Sequence, residues 1–184
     1  MYGEDSVSKG QLFFLVGASG STNENILRAI RRVNKGADNL AIAHRYITRP
    51  PSDRHENHIS LTREEFVMRK KAGCFALHWE CKGLHFAIGK EVDAWRDCGV
   101  NVIVKGSYRS LDAALAAFPD LVMVNVAESG QTHKARQQDA RVSRVMSADI
   151  ASEKMRFLDN SKSVEGAATQ FLNYLRGYKG LDVC

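Results

Sequence analysis

No stretch of the sequence holds the roughly 20 consecutive apolar residues that would cross a bilayer. The opening MYGEDSVSKG is polar, with acidic residues and no apolar centre, so neither a membrane span nor a secretory leader is expected. Proline is scarce, at 3 of 184 residues, and glycine numbers 14, which excludes low-complexity and collagen-like chains. The four cysteines (Cys74, Cys81, Cys98, Cys184) form no CxxC pair and no dense framework. Reduced thiols in a cytoplasm therefore fit better than a disulfide scaffold, and Cys74 and Cys81, flanking apolar segments, read as core or near-core residues. Charge of one sign is in small excess: 26 Lys and Arg against 21 Asp and Glu leave +5. Without a basic stripe and interleaved aromatics, nucleic acid is not an expected partner, whereas a phosphorylated small ligand suits the surplus. The pairs His55 and His58, or His78 and His85, are joined by no cysteine or carboxylate at ligand spacing, so no metal centre is expected. There is no G-x-S-x-G elbow.

What is present suffices for one core, with 44% hydrophobic residues. Residues 1–9 read as a tail and 10–184 as one domain. Gln11–Val16 is a continuous apolar run ending at Gly17, the pattern of a strand buried on both faces. Ile26, Leu27, Ile30 and Val33 then recur at helical spacing. Leu40–Ala43, Val100–Val104, Leu121–Val126 and Met155–Leu158 read as further strands. Thr62 and Glu65 form a capping box opening a helix to Lys71, Glu91–Asp97 is helical, and Ser110 and Ser163 read as caps of later helices. Phe75–Trp79 and Leu84–Ile88 flank Lys82-Gly83 as a hairpin. Buried strands alternating with helices predict an α/β three-layer sandwich with a mainly parallel sheet, its ligand site beyond the carboxyl ends of the strands.

The turn after the first strand is half of a phosphate-binding loop. Such a loop reads G-x-x-x-x-G-K-[ST]: glycines let backbone N–H groups surround phosphate, the lysine reaches the terminal phosphates, and the hydroxyl holds Mg²⁺. Gly17, Ala18, Ser19, Gly20 and Ser21 fit the first half, but Thr22 replaces the second glycine, Asn23 the lysine and Glu24 the hydroxyl. Glu24 places negative charge near a helix N-terminus that otherwise favours anions. Ser21 with Glu24 also spells a capping box. The segment is therefore open to two readings, a phosphate-binding loop and a plain helix cap.

Further residues carry a resemblance. His44-Arg45-Tyr46-Ile47-Thr48-Arg49-Pro50, then Glu56-Asn57-His58-Ile59-Ser60-Leu61, Phe75-Ala76-Leu77 with Trp79, Gly83-Leu84, and Val104 with Gly106-Ser107 recur in order. On these the chain, from about Gln11 to Leu175, resembles the guanylate-kinase-like P-loop kinases. Among them it looks most like the ribose 1,5-bisphosphate phosphokinase family of phosphonate catabolism. The resemblance implies ATP and Mg²⁺ as cofactors if the chain is active, and transfer to ribose 1,5-bisphosphate giving phosphoribosyl pyrophosphate. It implies a core of residues 10–44 and 91–184, a substrate-binding insert at about 45–90, and a reduced lid at about 127–145. Arg45 and Arg49 would hold the substrate phosphate, for which a guanidinium fork is suited, or else form surface ion pairs. Glu56, Asn57 and His58 would meet sugar hydroxyls or phosphate, or else form a structural turn.

The departures from the family pattern go beyond the loop. His85, Phe86 and Ala87 replace paired tyrosines and a glycine, Lys105 replaces a strand asparagine, and the lid is shorter, keeping only Arg141 and Arg144 on its returning helix. Arg141, Arg144 and Lys105 are the candidate catalytic cations, Lys105 being otherwise a solvated or ion-paired lysine, and His85 joins the candidate substrate residues. Two functions are expected to compete: a kinase with weak or lost activity, or a non-catalytic relative that binds a sugar phosphate, a nucleotide or a protein partner.

Overall fold

The computed structural model describes residues 8–17, 20–51, 57–126 and 154–179. The elements in chain order are β1 (Leu12–Gly17), α1 (Gly20–Asn34), β2 (Leu40–Ile42), β3 (Arg45–Ile47), β4 (His58–Ser60), α2 (Arg63–Lys71) and β5 (Phe75–Cys81). They continue with β6 (Leu84–Gly89), α3 (Glu91–Asp97), β7 (Asn101–Lys105), a 3-10 turn (Tyr108–Ser110), α4 (Leu111–Ala117), β8 (Val122–Val126), β9 (Met155–Leu158) and α5 (Val164–Lys179). One sheet has the order β2-β7-β1-β8-β9, and the other β4-β3-β6-β5. In the first, β2 runs parallel to β7 and β8 parallel to β9, as buried strands joined by helices require. The fold is thus α/β with a mainly parallel sheet. No helix among the described residues is long and apolar enough to cross a membrane.

The described residues fall into two compact units. One contains the start of β1, Asn39–Val104 and Asp112–Leu121, and hence the whole four-stranded sheet. Here Leu61, Phe66, Phe75 and Ala87 form a small core with Tyr46 packed on it. Thr62 caps α2 by accepting from Glu65 N–H at 3.1 Å. The reciprocal half of the expected box is replaced by an ion pair, Glu65 to Arg69 at 2.7 Å. Lys82 and Gly83 both have positive φ, 52° and 73°, as a two-residue hairpin turn demands. Arg96, 2% exposed, donates to the Gly10 carbonyl at 2.8 Å and pairs with Asp120.

The other unit contains Phe14–Asp38, Lys105–Leu111 and the chain from Val122. Ile26, Leu27 and Ile30 of α1 and Ala167, Ala168, Phe171, Leu172 and Leu175 of α5 are buried, while Val33 turns outward. Arg32–Glu165 pins the two helices, and the Arg176 guanidinium of α5 holds Asp38, beyond the end of α1, through two bonds of 3.0 Å. Ser163 accepts from Gly166 N–H at 2.9 Å, the expected cap.

Two sequence expectations need correction, and one pairing was not anticipated. The cap before α4 lies one turn earlier than Ser110, in a reciprocal Ser107–Ser110 box that opens the 3-10 turn. Cys74 is exposed and Cys81 half-buried, because one falls in the α2–β5 loop and the other at the hairpin end. The HRYITRP and ENHIS stretches contain two three-residue strands, β3 and β4, paired in parallel.

Candidate functional site

Both candidate arms can be built from their residues, each inside one unit. The loop arm begins at Gly17, whose φ of +98° is open to glycine and strained for other residues. A Cβ there would stand 2.4 Å from the Val126 carbonyl oxygen, so the loop starts pressed against the end of β8. Asn23, 4% exposed, donates from Nδ2 to the Gly17 carbonyl at 3.0 Å. Its side chain thus reaches back to Gly17, and Oδ1 is buried with no hydrogen-bond partner among the described residues. Glu24 accepts from the Lys105 ammonium at 2.8 Å, with the two side chains 8% and 7% exposed. The carboxylate expected to repel anions is therefore neutralised from β7 by Lys105. Behind Gly17, Tyr108 donates to Asn125 Oδ1 at 2.8 Å.

The insert arm is organised by strand register. Arg45 lies opposite His58 of β4, and Ile47 opposite Phe86 of β6. These residues share one face. There the Arg45 guanidinium lies 5.6 Å from the Phe86 ring centre, and Phe86 stacks on Trp79 at 5.5 Å and 8°. His58 Nε2 stands 3.4 Å from Ser60 Oγ. His85, one residue from Phe86, points to the opposite face and stacks on Phe66 of α2 at 5.3 Å. There too Tyr46 donates to Glu91 at 3.3 Å. Burial first, then the Glu91 charge, raise the Tyr46 phenol above its ordinary pKa.

A cavity of about 540 Å³ opens at the end of β3, lined by Thr48, Arg49, Ser60, Arg63, Glu65 and His85 among others. The expected substrate residues thus divide. Arg49 and His85 meet in the cavity, and Arg45 and His58 sit side by side on a sheet face. Asn57 donates to the Ala43 carbonyl at 2.8 Å, fixing the chain entering β3. Ala18, Ser19, the Ser21 side chain, Glu56, Arg141 and Arg144 lie outside the described residues.

Sequence reasoning missed Ser60 and Arg63 as lining residues, and the Tyr108–Asn125 bond. A signal existed for the last: Asn125 is the one polar residue in an otherwise apolar strand.

A mainly parallel sheet whose first strand runs through a glycine turn into α1, with a separate four-stranded insert sheet, defines a P-loop NTPase fold of the guanylate kinase type. Guanylate kinase from Anaplasma phagocytophilum matches it with a TM-score of 0.65 over 93% of this chain and 87% of that one, at 18% identity. No protein-family model matches the chain. Sequence relatives go further. The chain is 36% identical over 180 residues to the ribose 1,5-bisphosphate phosphokinase PhnN of Psychromonas ingrahamii, covering 92% and 91% of the two. It is 37% identical over 150 residues to that of Thiobacillus denitrificans, covering 80% and 79%. The chain belongs to the ribose 1,5-bisphosphate phosphokinase family.

Proposed function

We propose that the insert binds a phosphorylated ribose, ribose 1,5-bisphosphate by the relatives' name, and that phosphoryl transfer to it from Mg²⁺-ATP is weak or lost. Arg49 and His85 supply a cation and a ring nitrogen to the cavity, with hydroxyls from Thr48 and Ser60 beside them. Such a set suits a phosphate ester. Arg45 and His58, on the sheet face opposite His85, do not line this cavity, and Arg141 and Arg144 would cover the transferring phosphates.

The observation that carries the reading is the fate of positions 23 and 24. In-line phosphoryl transfer depends on positioned positive charge. Asn23 supplies none and turns back to Gly17, while Glu24 is bound by Lys105. Magnesium needs an accessible oxygen donor there, and the donor present is buried against an ammonium, so these residues do not fit the ion. Losing one contact that acts in the transition state costs roughly 3–4 kcal/mol, or about 10²–10³ in rate.

The test combines thermal shift with turnover. Ribose 1,5-bisphosphate should raise Tm, and Arg49→Ala should abolish the rise. ATP with Mg²⁺ should shift Tm little. Turnover in the ordinary kinase range of roughly 1–100 per second would contradict the weak transfer arm. One observation favours a second reading, a working kinase with a relocated cation. Lys105 closes β7 in the unit that holds the loop, and would have to exchange Glu24 for phosphate. Glu24→Leu/Lys105→Met, in which the buried pair is removed whole, would then lose activity rather than keep a low rate unchanged.

A further inference from the structure

Glu24 occupies the position where the P-loop pattern has a magnesium-binding hydroxyl, and its side chain touches the Lys105 ammonium at 2.8 Å. A carboxylate this buried needs a cation, since leaving it unpaired is strongly unfavourable. Two cations could serve. A divalent ion prefers oxygen ligands of this kind, but Mg²⁺ dehydrates reluctantly, and the Glu24 side chain is only 8% exposed. An ammonium on the neighbouring strand is tethered, so it competes at a high effective concentration that does not fall when the metal is removed.

We propose that the Lys105 ammonium is a built-in substitute for the divalent cation. It closes position 24 to Mg²⁺, so that any phosphate the loop receives is held without metal. Asn23 completes the change, because its amide occupies the Gly17 carbonyl at 3.0 Å and adds no charge. The inference rests on the proposed reading of the loop arm but concerns its cation rather than its rate.

The experiment uses the full chain and Mn²⁺ alone, followed by electron paramagnetic resonance and thermal shift. The wild type should show no Mn²⁺ binding that depends on Glu24. Lys105→Asn should acquire one Mn²⁺ per chain, at least about tenfold tighter than any wild-type site, because the ion replaces the ammonium lost from a buried carboxylate. Glu24→Gln/Lys105→Asn should lose it again. If Lys105→Asn is unfolded without metal, the same titration should read as recovery of the fold by Mn²⁺. As a second measurement, pyrophosphate affinity of the wild type should be equal in Mg²⁺ and in EDTA. Three results would overturn the proposal: wild-type Mn²⁺ binding lost in Glu24→Gln, Lys105→Asn that neither binds nor is rescued by Mn²⁺, or pyrophosphate binding that needs Mg²⁺. Brisk ATP turnover with a silent Mn²⁺ titration would instead refute the weak transfer arm and leave this inference standing.

Discussion

Polar side chains are used in opposite ways by the loop after β1 and by the insert sheet. In the loop unit, Asn23 is spent on Gly17, Glu24 on Lys105 and Tyr108 on Asn125. In the insert, Arg49, Arg63, Ser60 and His85 border a cavity of about 540 Å³. The difference teaches that a degenerate motif need not be an empty one. Here Asn23 bonds to the Gly17 carbonyl and Glu24 to Lys105, so these two positions have partners within the chain. The insert's cations have kept a space to work into, and on the proposed reading that is where ligand binding survives.

The comparison breaks most visibly at the buried pair. Lys105→Met should lower stability to urea by roughly 3–5 kcal/mol, because the buried Glu24 carboxylate loses its ammonium partner, while Glu24→Leu/Lys105→Met should regain most of it. Equal loss in the single and the double variant would show that the two residues do not act as a pair.

Restoring the loop sharpens it next. Asn23→Lys/Glu24→Ser/Lys105→Asn should tighten Mg²⁺-ATP binding by about a hundredfold, on the order of the 3 kcal/mol attached to such contacts. Asn23→Lys alone should gain much less, measured by calorimetry. Similar gains would mean that the Glu24–Lys105 pair is no obstacle.

On the insert side, Arg49→Ala should weaken ribose 1,5-bisphosphate by about tenfold or more, the worth of a charge-assisted contact. Ligand-free Tm should hardly change. A large Tm loss would assign Arg49 to the fold rather than to the cavity.

The smallest effect is expected at Tyr46, on the α2 face away from Arg45. Tyr46→Phe should cost about 1 kcal/mol or less. Burial and Glu91 raise this phenol, so the folded state favours its neutral form. Its stability contribution is therefore complete below pH 10 and lost as pH rises through the raised value. Ultraviolet titration should show one late phenol in the wild type that is missing in the variant.

Much of the fold was legible because its strands are continuous apolar runs. Leu12–Val16, Val102–Val104 and Val122–Val124 are buried throughout, and no other short element imposes that pattern. The hairpin was legible through Lys82-Gly83, and α2 through Thr62. β3 and β4 were not, since three residues each, Arg45–Ile47 and His58–Ser60, are too few to show a period. The altered loop was readable from Thr22, Asn23 and Glu24, but its consequence was not. Glu24 and Lys105 are separated by 81 positions, and only the pairing of the folded chain joins them. His85 joined the candidate substrate residues where the chain departs from the family pattern; strand alternation sets it on the face opposite Arg45, and with Arg49 it lines the cavity.

The most direct measurement is calorimetric titration of the full chain with ribose 1,5-bisphosphate and, separately, with ATP in Mg²⁺ and in EDTA. The account predicts clear binding of the sugar bisphosphate that Arg49→Ala removes, beside feeble ATP binding indifferent to Mg²⁺. Tight ATP binding that collapses in EDTA, with no heat from the sugar bisphosphate, would contradict it.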